Sequence, residues 1–266
     1  MNMGGIEEGE SGMGNRESEG RRVGRGEMVE GLRRVGVEEG DLVQVHSSLS
    51  AFGYVEGGAE TVVDALLEAV GAEGTVMVPT FNHGSVEAFD LKTSPSTNGA
   101  ITNALRVRPE AYRSLHPTHP CAAIGPLAEL LTGEHLHVGT FGLRSPLGKL
   151  AAMGGKVLLL GVGMNSNTMA HIGETLYGVP CIAEGWPRKI VDGMGHVVGA
   201  TGVYWRNGPC LVEWEALEGY MRERGQIVDG QIGEAKVHLM LGAQVLGATV
   251  RLCGESCPRC ETRPKF

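Results

Sequence analysis

The chain of 266 residues carries 23 basic and 31 acidic side chains, a formal net charge of −8, and 42% of it is hydrophobic. That is apolar material for one large domain and excludes wholesale disorder, while the acidic balance speaks against nucleic acid, whose phosphates need a basic surface. The longest apolar runs, such as KVLLLGVG, fall well short of the roughly 20 residues a bilayer span needs, and the acidic start MNMGGIEEGESG lacks the apolar stretch of a secretory signal, so a cytoplasmic protein without a membrane partner is expected.

Residues 1–26 hold eight Gly and five Glu and almost nothing apolar, the composition of a solvated, disordered tail, and a single domain is expected over 27–266. EMVEGLRRVG puts Met28, Leu32 and Val35 on one helical face and stops at Gly36. DLVQVH reads as a strand, and AETVVDALLEAVG as a helix that buries Val62, Val63, Leu66, Leu67 and Val70. GTVMVPTF is the next strand, AITNALRVR a helix, and CAAIG and KVLLLGVG are buried strands. NSNTMAHIGETLYG reads as a helix, LVEWEALEGYMRERG as an amphipathic helix through Leu211, Trp214, Leu217 and Met221, and EAKVHLMLGAQVLG as the last helix. Strands that are apolar throughout and alternate with helices predict an α/β fold whose central mixed, largely parallel sheet has helices on both faces.

Several familiar motifs fail on inspection. GLRSPLGKL spaces Gly142 and Gly148 wrongly for a phosphate loop and puts Leu150 where a hydroxyl should bind magnesium; GVGMNS has Ser166 in place of the third glycine of a dinucleotide fingerprint. Neither G-x-S-x-G nor H-E-x-x-H occurs.

Four constellations remain. VHSSLSAFGYVEGG, His46 to Gly58, delivers a hydroxyl-rich turn from the end of a strand; it can bind phosphate oxygens or an extended amide, or Ser47, Ser48 and Ser50 can simply cap and turn. RSLHPTHPCAAIGP holds His116 and His119 stiffly between prolines, as metal ligands, substrate contacts or structural side chains. In NTMAHIGE, Thr168, His171 and Glu174 follow at i, i+3 and i+6 in the first turns of a helix, outside the end of a buried strand, where open α/β sheets place ligands. A carboxylate beside an imidazole fixes its tautomer and stabilises its protonated form, so this is a general-base arrangement or, alternatively, an exposed surface pair. Cys253, Cys257 and Cys260, in CGESCPRC of the Cys-rich tail 253–266, have a spacing suited to three thiolates of a structural zinc site, with a fourth ligand from Cys181, Cys210 or a histidine.

Taken together these segments resemble the aminoglycoside 3-N-acetyltransferase family, antibiotic acetyltransferases that do not have the GNAT fold. The carrying stretches are GDLVQVHSSLSAFGYVEGGAETVVDALLEAVGAEGTVMVPTF, FDLKTSPSTNGAITNALRVRPEAYRSLHPTHPCAAIGP, FGLRSPLGKLAAMGGKVLLLGVGMNSNTMAHIGE and GQIGEAKVHLM, in the family's order over roughly residues 27–250. The resemblance implies acetyl transfer from acetyl-coenzyme A to the 3-amino group of an aminoglycoside. It places coenzyme A against Ser47, Ser48, Leu49 and Ser50, with His46 at the site, Gly57 and Gly58 shaping the pocket and Ser145 at the nucleotide end. It makes His171 the catalytic histidine with Glu174 as its carboxylate, and it puts His116 beside the acceptor.

In the mechanism the residues allow, His171 deprotonates the acceptor amine, Glu174 orients and charge-stabilises the ring, Thr168 helps fix the geometry, and the His46–Ser50 turn offers donors to the oxyanion. Asp90, Glu174 and Glu184 are acidic candidates for holding a polycationic acceptor. A covalent route through Cys121, transfer to a different small amine, and a metal-dependent hydrolase built on His46, His116, His119 and His171 are the alternatives. A monomer or homodimer is expected.

Overall fold

A computed structural model describes residues 21–82, 88–205 and 213–257. In chain order its strands are β1 (Arg22–Val23), β2 (Leu42–Ser47), β3 (Tyr54–Val55), β4 (Thr75–Pro79), β5 (Ala88–Asp90), β6 (Tyr112–Arg113), β7 (Cys121–Ile124), β8 (Lys156–Leu160), β9 (Ile182–Val191), β10 (Val197–Trp205), β11 (Val228–Ile232) and β12 (Ala235–Leu241). The α-helices are α1 (Arg25–Arg34), α2 (Gly58–Val70), α3 (Ala100–Arg106), α4 (Ala128–Thr132), α5 (Pro146–Ala152), α6 (Met169–Tyr177), α7 (Trp214–Glu223) and α8 (Gly242–Ser256).

Seven strands form the main sheet in the order β11-β12-β8-β2-β4-β7-β6. The sheet is mixed, but its parallel part is smaller than the apolar runs imply. Only β8-β2 and β2-β4 pair in parallel, and the four outer pairings are antiparallel. At one end the reason is local: β11 and β12 meet across a tight turn in which Ile232 faces Ala235 and Gly233 has φ +57°, and so short a connection permits only antiparallel pairing.

Strand residues alternate between two cores. Val43, Val45, Val76, Val78, Leu158 and Leu160 face the core shared with α1, α2 and α3. Leu42, Met77, Val157, Leu159 and Met240 face the core shared with α4, α5, α6 and α8. Helices thus cover both faces, and the period of two puts Gln44 and His46 on the second face, the side of α6. A separate three-stranded sheet, β10-β9-β5, carries the hairpin that follows α6.

Three expectations need correction. EAKVHLMLGAQVLG is half strand, because Val237 and Leu239 alternate with Lys236 and His238 along β12 before α8 begins at Gly242. The fold also starts earlier than Glu27: Arg22 and Val23 pair with Tyr54 and Val55, and α1 opens at Arg25, so only residues 1–20 of the expected tail lie outside the described residues. Leu211, expected on an amphipathic helix, is outside them too, and α7 begins at Trp214.

One glycine decides how closely the second face packs. A Cβ on Gly173 would stand 2.6 Å from Thr249 Cβ and 2.8 Å from Leu246 O, so α6 and α8 cross in contact there. Gly173→Ala is expected to cost about 1–3 kcal/mol through overpacking and to lower the melting temperature by roughly 3–8 °C, read by calorimetry.

Candidate active site

After β2 the chain crosses by α2 on one face of the sheet to β4; after β8, the parallel neighbour of β2 on its other side, it runs into α6 on the opposite face. The C-terminal ends of β2 and β8 therefore border a crevice where connections diverge, the place where open α/β sheets bind ligands. Gly161, with φ +69° just past β8, takes the backbone so close to the 3-10 turn Leu49–Phe52 that a side chain would collide with Ala51.

Helix α6 is framed by its sequence. Asn167 Oδ1 accepts the Met169 N–H at 3.2 Å at its start, and Gly178, in the left-handed conformation, donates to Glu174 O and Thr175 O at its end. His171 and Glu174, one turn apart, face inward: they are 8% and 1% exposed, and Nδ1–H of His171 donates to Glu174 Oε2 at 2.7 Å. With Nδ1 protonated, Nε2 is the basic atom of the neutral ring. Phe141 lies against the His171 ring at 4.9 Å and Trp214 edge-on at 6.0 Å. The alternative of an exposed surface pair is thereby removed.

His46, from β2, meets Thr168 on this side of the sheet, its Nε2 3.2 Å from Thr168 Oγ1. Burial, and second the charge of His171, hold the His46 imidazole down to about 3, so it stays neutral. Gln44, which the sequence reading passed over, completes the group: its Nε2 is 3.0 Å from His46 Nε2 and 3.2 Å from Thr168 Oγ1. The available signal was a lone amide in a strand whose neighbours Leu42, Val43 and Val45 are all apolar.

A cavity of about 760 Å³ opens beside this crevice, lined by Ser47, Ser48, Leu49, Ser50, Tyr54 and Gly58 from the first constellation and by Thr97–Ala100. Ser47 Oγ is buried there without a hydrogen-bond partner, while Ser48 Oγ and Ser50 Oγ pair at 3.2 Å. Gly57 and Gly58, both at positive φ, form the turn into α2.

Other candidates have different work. Ser145 is fully buried and caps α5, its Oγ accepting the Gly148 N–H at 3.3 Å. His116, 2% exposed, accepts the N–H groups of Thr118 and His119 on Nδ1 and donates from Nε2 to Thr140 Oγ1; both nitrogens are taken up by the fold, and the ring stacks on His135 at 4.3 Å. His119 packs between Phe81 and Phe141. Asp90 Oδ1 accepts from Lys92 N and Thr93 N and so closes a turn, an arrangement that holds its carboxyl below the usual range. Glu184 lies on β9, and its side chain is outside the described residues.

Cys121 is 1% exposed and burial pushes its thiol up to about 12, the condition of a core thiol rather than of a nucleophile. Cys253 and Cys257 face the second core from α8, and Cys260 lies outside the described residues. Among the described residues no three His, Cys, Asp or Glu side chains converge to hold a metal ion, and the four histidines of the hydrolase alternative do not form such a group; Cys210 and Cys260 of the zinc expectation lie outside the described residues. No described helix is long and apolar enough to cross a membrane.

The pair of His171 and Glu174 on α6, past the C-terminal end of β8, is a buried imidazole–carboxylate arrangement of the kind general bases use. The family model for aminoglycoside 3-N-acetyltransferases matches residues 44–252, and the chain belongs to that family. Aminoglycoside N(3)-acetyltransferase VIII of Streptomyces fradiae is 38% identical over 185 residues, 62% of this chain and 65% of the relative. The chain thus matches less than two thirds of that curated relative's length. In structure it is similar to aminoglycoside acetyltransferase AAC(3)-Xa, with TM-score 0.81 and 31% identity over 90% of this chain and 95% of the other. It is also similar to AAC-IIIb in its binary complex with CoASH, with TM-score 0.81 and 25% identity over 92% and 100% of the two chains.

Proposed function

We propose that the protein transfers the acetyl group of acetyl-coenzyme A to the 3-amino group of an aminoglycoside. The observation that carries this reading is the buried His171–Glu174 pair in a chain of this family, and the cavity lined by Ser47–Ser50 supplies room for the cosubstrate. AAC-IIIb holds CoASH and AAC-VIa holds sisomicin in the same fold, which supports both substrates.

Coenzyme A lies along Ser47–Ser50, where the unpartnered Ser47 hydroxyl supplies a hydrogen bond. Sugar amines are mostly ammonium at neutral pH and cannot attack a thioester in that state. Nε2 of His171 takes the proton, the nitrogen lone pair forms the N–C bond, and negative charge gathers on the carbonyl oxygen. The C–S bond then breaks, the thiolate leaves as coenzyme A with the proton held by the imidazolium, and the surplus proton on the new amide nitrogen passes to solvent, so that ammonium and thioester give amide, thiol and one released proton. Glu174, accepting from Nδ1, stabilises the imidazolium between these steps. The site works in the cytoplasm, where acetyl-coenzyme A is available.

Thiol release measured over a panel of aminoglycosides and simpler amines, with the acetylated position determined, tests the reading. Release matched one to one by a 3-N-acetylated product is expected. Release only with a non-aminoglycoside amine would reassign the acceptor, and no release above background would remove acetyl transfer.

A further inference from the structure

Gln44, His46 and Thr168 form a closed triangle. Gln44 Nε2 lies 3.0 Å from His46 Nε2 and 3.2 Å from Thr168 Oγ1, and those two atoms are 3.2 Å apart. Gln44 is fully buried, and its Oε1 is buried with no hydrogen-bond partner. A polar side chain is held in this position on β2 at a cost, which calls for a return elsewhere.

Few proton arrangements satisfy the triangle. The amide has two hydrogens and can give one to each neighbour. His46 Nε2 has one lone pair; once the amide uses it, the proton of the neutral ring sits on Nδ1. The Thr168 oxygen accepts the second amide hydrogen. Its own hydrogen then finds no lone pair on His46 and turns out of the triangle. Reversing the amide would make Oε1 the acceptor from both neighbours and would put two N–H donors where Oε1 now has no partner. Leaving two donors unpaired costs more than leaving one acceptor.

Thr168 is half-buried and stands immediately before α6, and its carbonyl accepts the His171 N–H at 3.1 Å. The hydroxyl hydrogen is then turned away from both His46 and Gln44, at the start of the helix that carries His171. We propose that Gln44 is a positioning residue for acetyl transfer: its amide fixes His46 as the Nδ1–H tautomer and turns the Thr168 hydroxyl outward, as a donor to the thioester oxygen on which negative charge develops. This rests on the acetyl-transfer reading above. The amide acts only through Thr168, and no bond to substrate is asked of it.

Two measurements test it. Nitrogen chemical shifts of histidine-labelled protein, recorded without substrates at pH 7.5, report the His46 tautomer; Nδ1 protonated with Nε2 bare is expected, and a protonated Nε2 overturns the proposal. In steady-state kinetics, Thr168→Val is expected to lower kcat by about 10²-fold, the loss typical of one oxyanion donor, and Gln44→Leu by about 10-fold, with KM for acetyl-coenzyme A changed less than about twofold. The double variant is expected to match Thr168→Val alone, since the amide has nothing to orient once the hydroxyl is gone. Losses that multiply, or a Gln44→Leu or Gln44→Met protein that melts normally and turns over like wild type, overturn the proposal. Wild-type protein that acetylates no amine would defeat the acetyl-transfer reading instead, and the ring spectrum would still judge the triangle.

Discussion

Replacing His171 with glutamine is expected to lower kcat by about 10²–10⁴-fold while KM for acetyl-coenzyme A stays within about twofold. The size follows from what the ring does. Its Nε2 removes the proton that keeps an amine from attacking, and general-base help of that kind is worth about 3–5 kcal/mol at 1.36 kcal/mol per tenfold. The selectivity for kcat follows from position: the ring sits on α6, packed by Phe141 and Trp214, whereas the cavity proposed for coenzyme A is walled by Ser47–Ser50 and Thr97–Ala100. Glutamine keeps much of the volume and a hydrogen bond to Glu174, so the fold should survive. Glu174→Gln separates orientation from charge. The amide still accepts from Nδ1 but cannot stabilise an imidazolium, so a loss of the same order as for His171→Gln would assign Glu174 an electrostatic role. Wild-type turnover in His171→Gln would remove the general base from the mechanism.

The parts of this site that were legible in the sequence share one property: their signal is local. Strands β2, β4 and β8 are buried on both faces and read as apolar runs, and the i, i+3, i+6 spacing of Thr168, His171 and Glu174 needs only a helix to bring them together. The parts that were missed depend on distant partners. The two-residue β1 exists because Tyr54 and Val55 lie alongside it. The tail-like composition around Arg22 carries no trace of that pairing. His116 looked like a site residue among prolines, yet its role is set by Thr140, 24 positions later, and by the ring of His135. Along β12 the period of two in Lys236–Leu239 was present, but the apolar run into Met240 and Leu241 gave it helical spacing as well, and pairing with β8 decided between them. Gln44 shows the same limit from the other side: a buried amide in an apolar strand is visible in the sequence, but its partner 124 residues away is not.

Stability is expected to fall steeply as pH drops from 7.5 to 5, and the buried histidines are the cause. Burial holds His46 down to about 3 and His135 to about 4, and it pushes His116 well below the ordinary value of 6.5, with the neighbouring His135 acting in the same direction. Unfolding returns all three rings to water, where they take up protons near pH 6.5. Above about pH 7.5 both states leave the rings neutral and the histidines contribute no pH dependence. Below pH 6.5 the unfolded chain binds protons that the folded one excludes, so stability declines until the folded values are reached. At pH 5, one and a half units below 6.5 at 1.36 kcal/mol per unit, the decline is about 2 kcal/mol for each of His46 and His135, and His116 adds to it in the same sense. Against a typical total of 5–15 kcal/mol this is a large fraction, and the melting temperature should drop by about 10–20 °C. The depressed carboxylates Asp90 and Asp229 act lower down, below about pH 4, and do not offset the fall in this window. His135→Gln, which keeps a donor for Thr140 O but cannot titrate, should flatten the slope by about one proton between pH 6.5 and 5, as read from melting curves across that range. A melting temperature that is level from pH 7.5 to 5 in the wild type would mean that these rings are already protonated, or wet, in the folded protein, and the neutral His46 beside His171 would go with them.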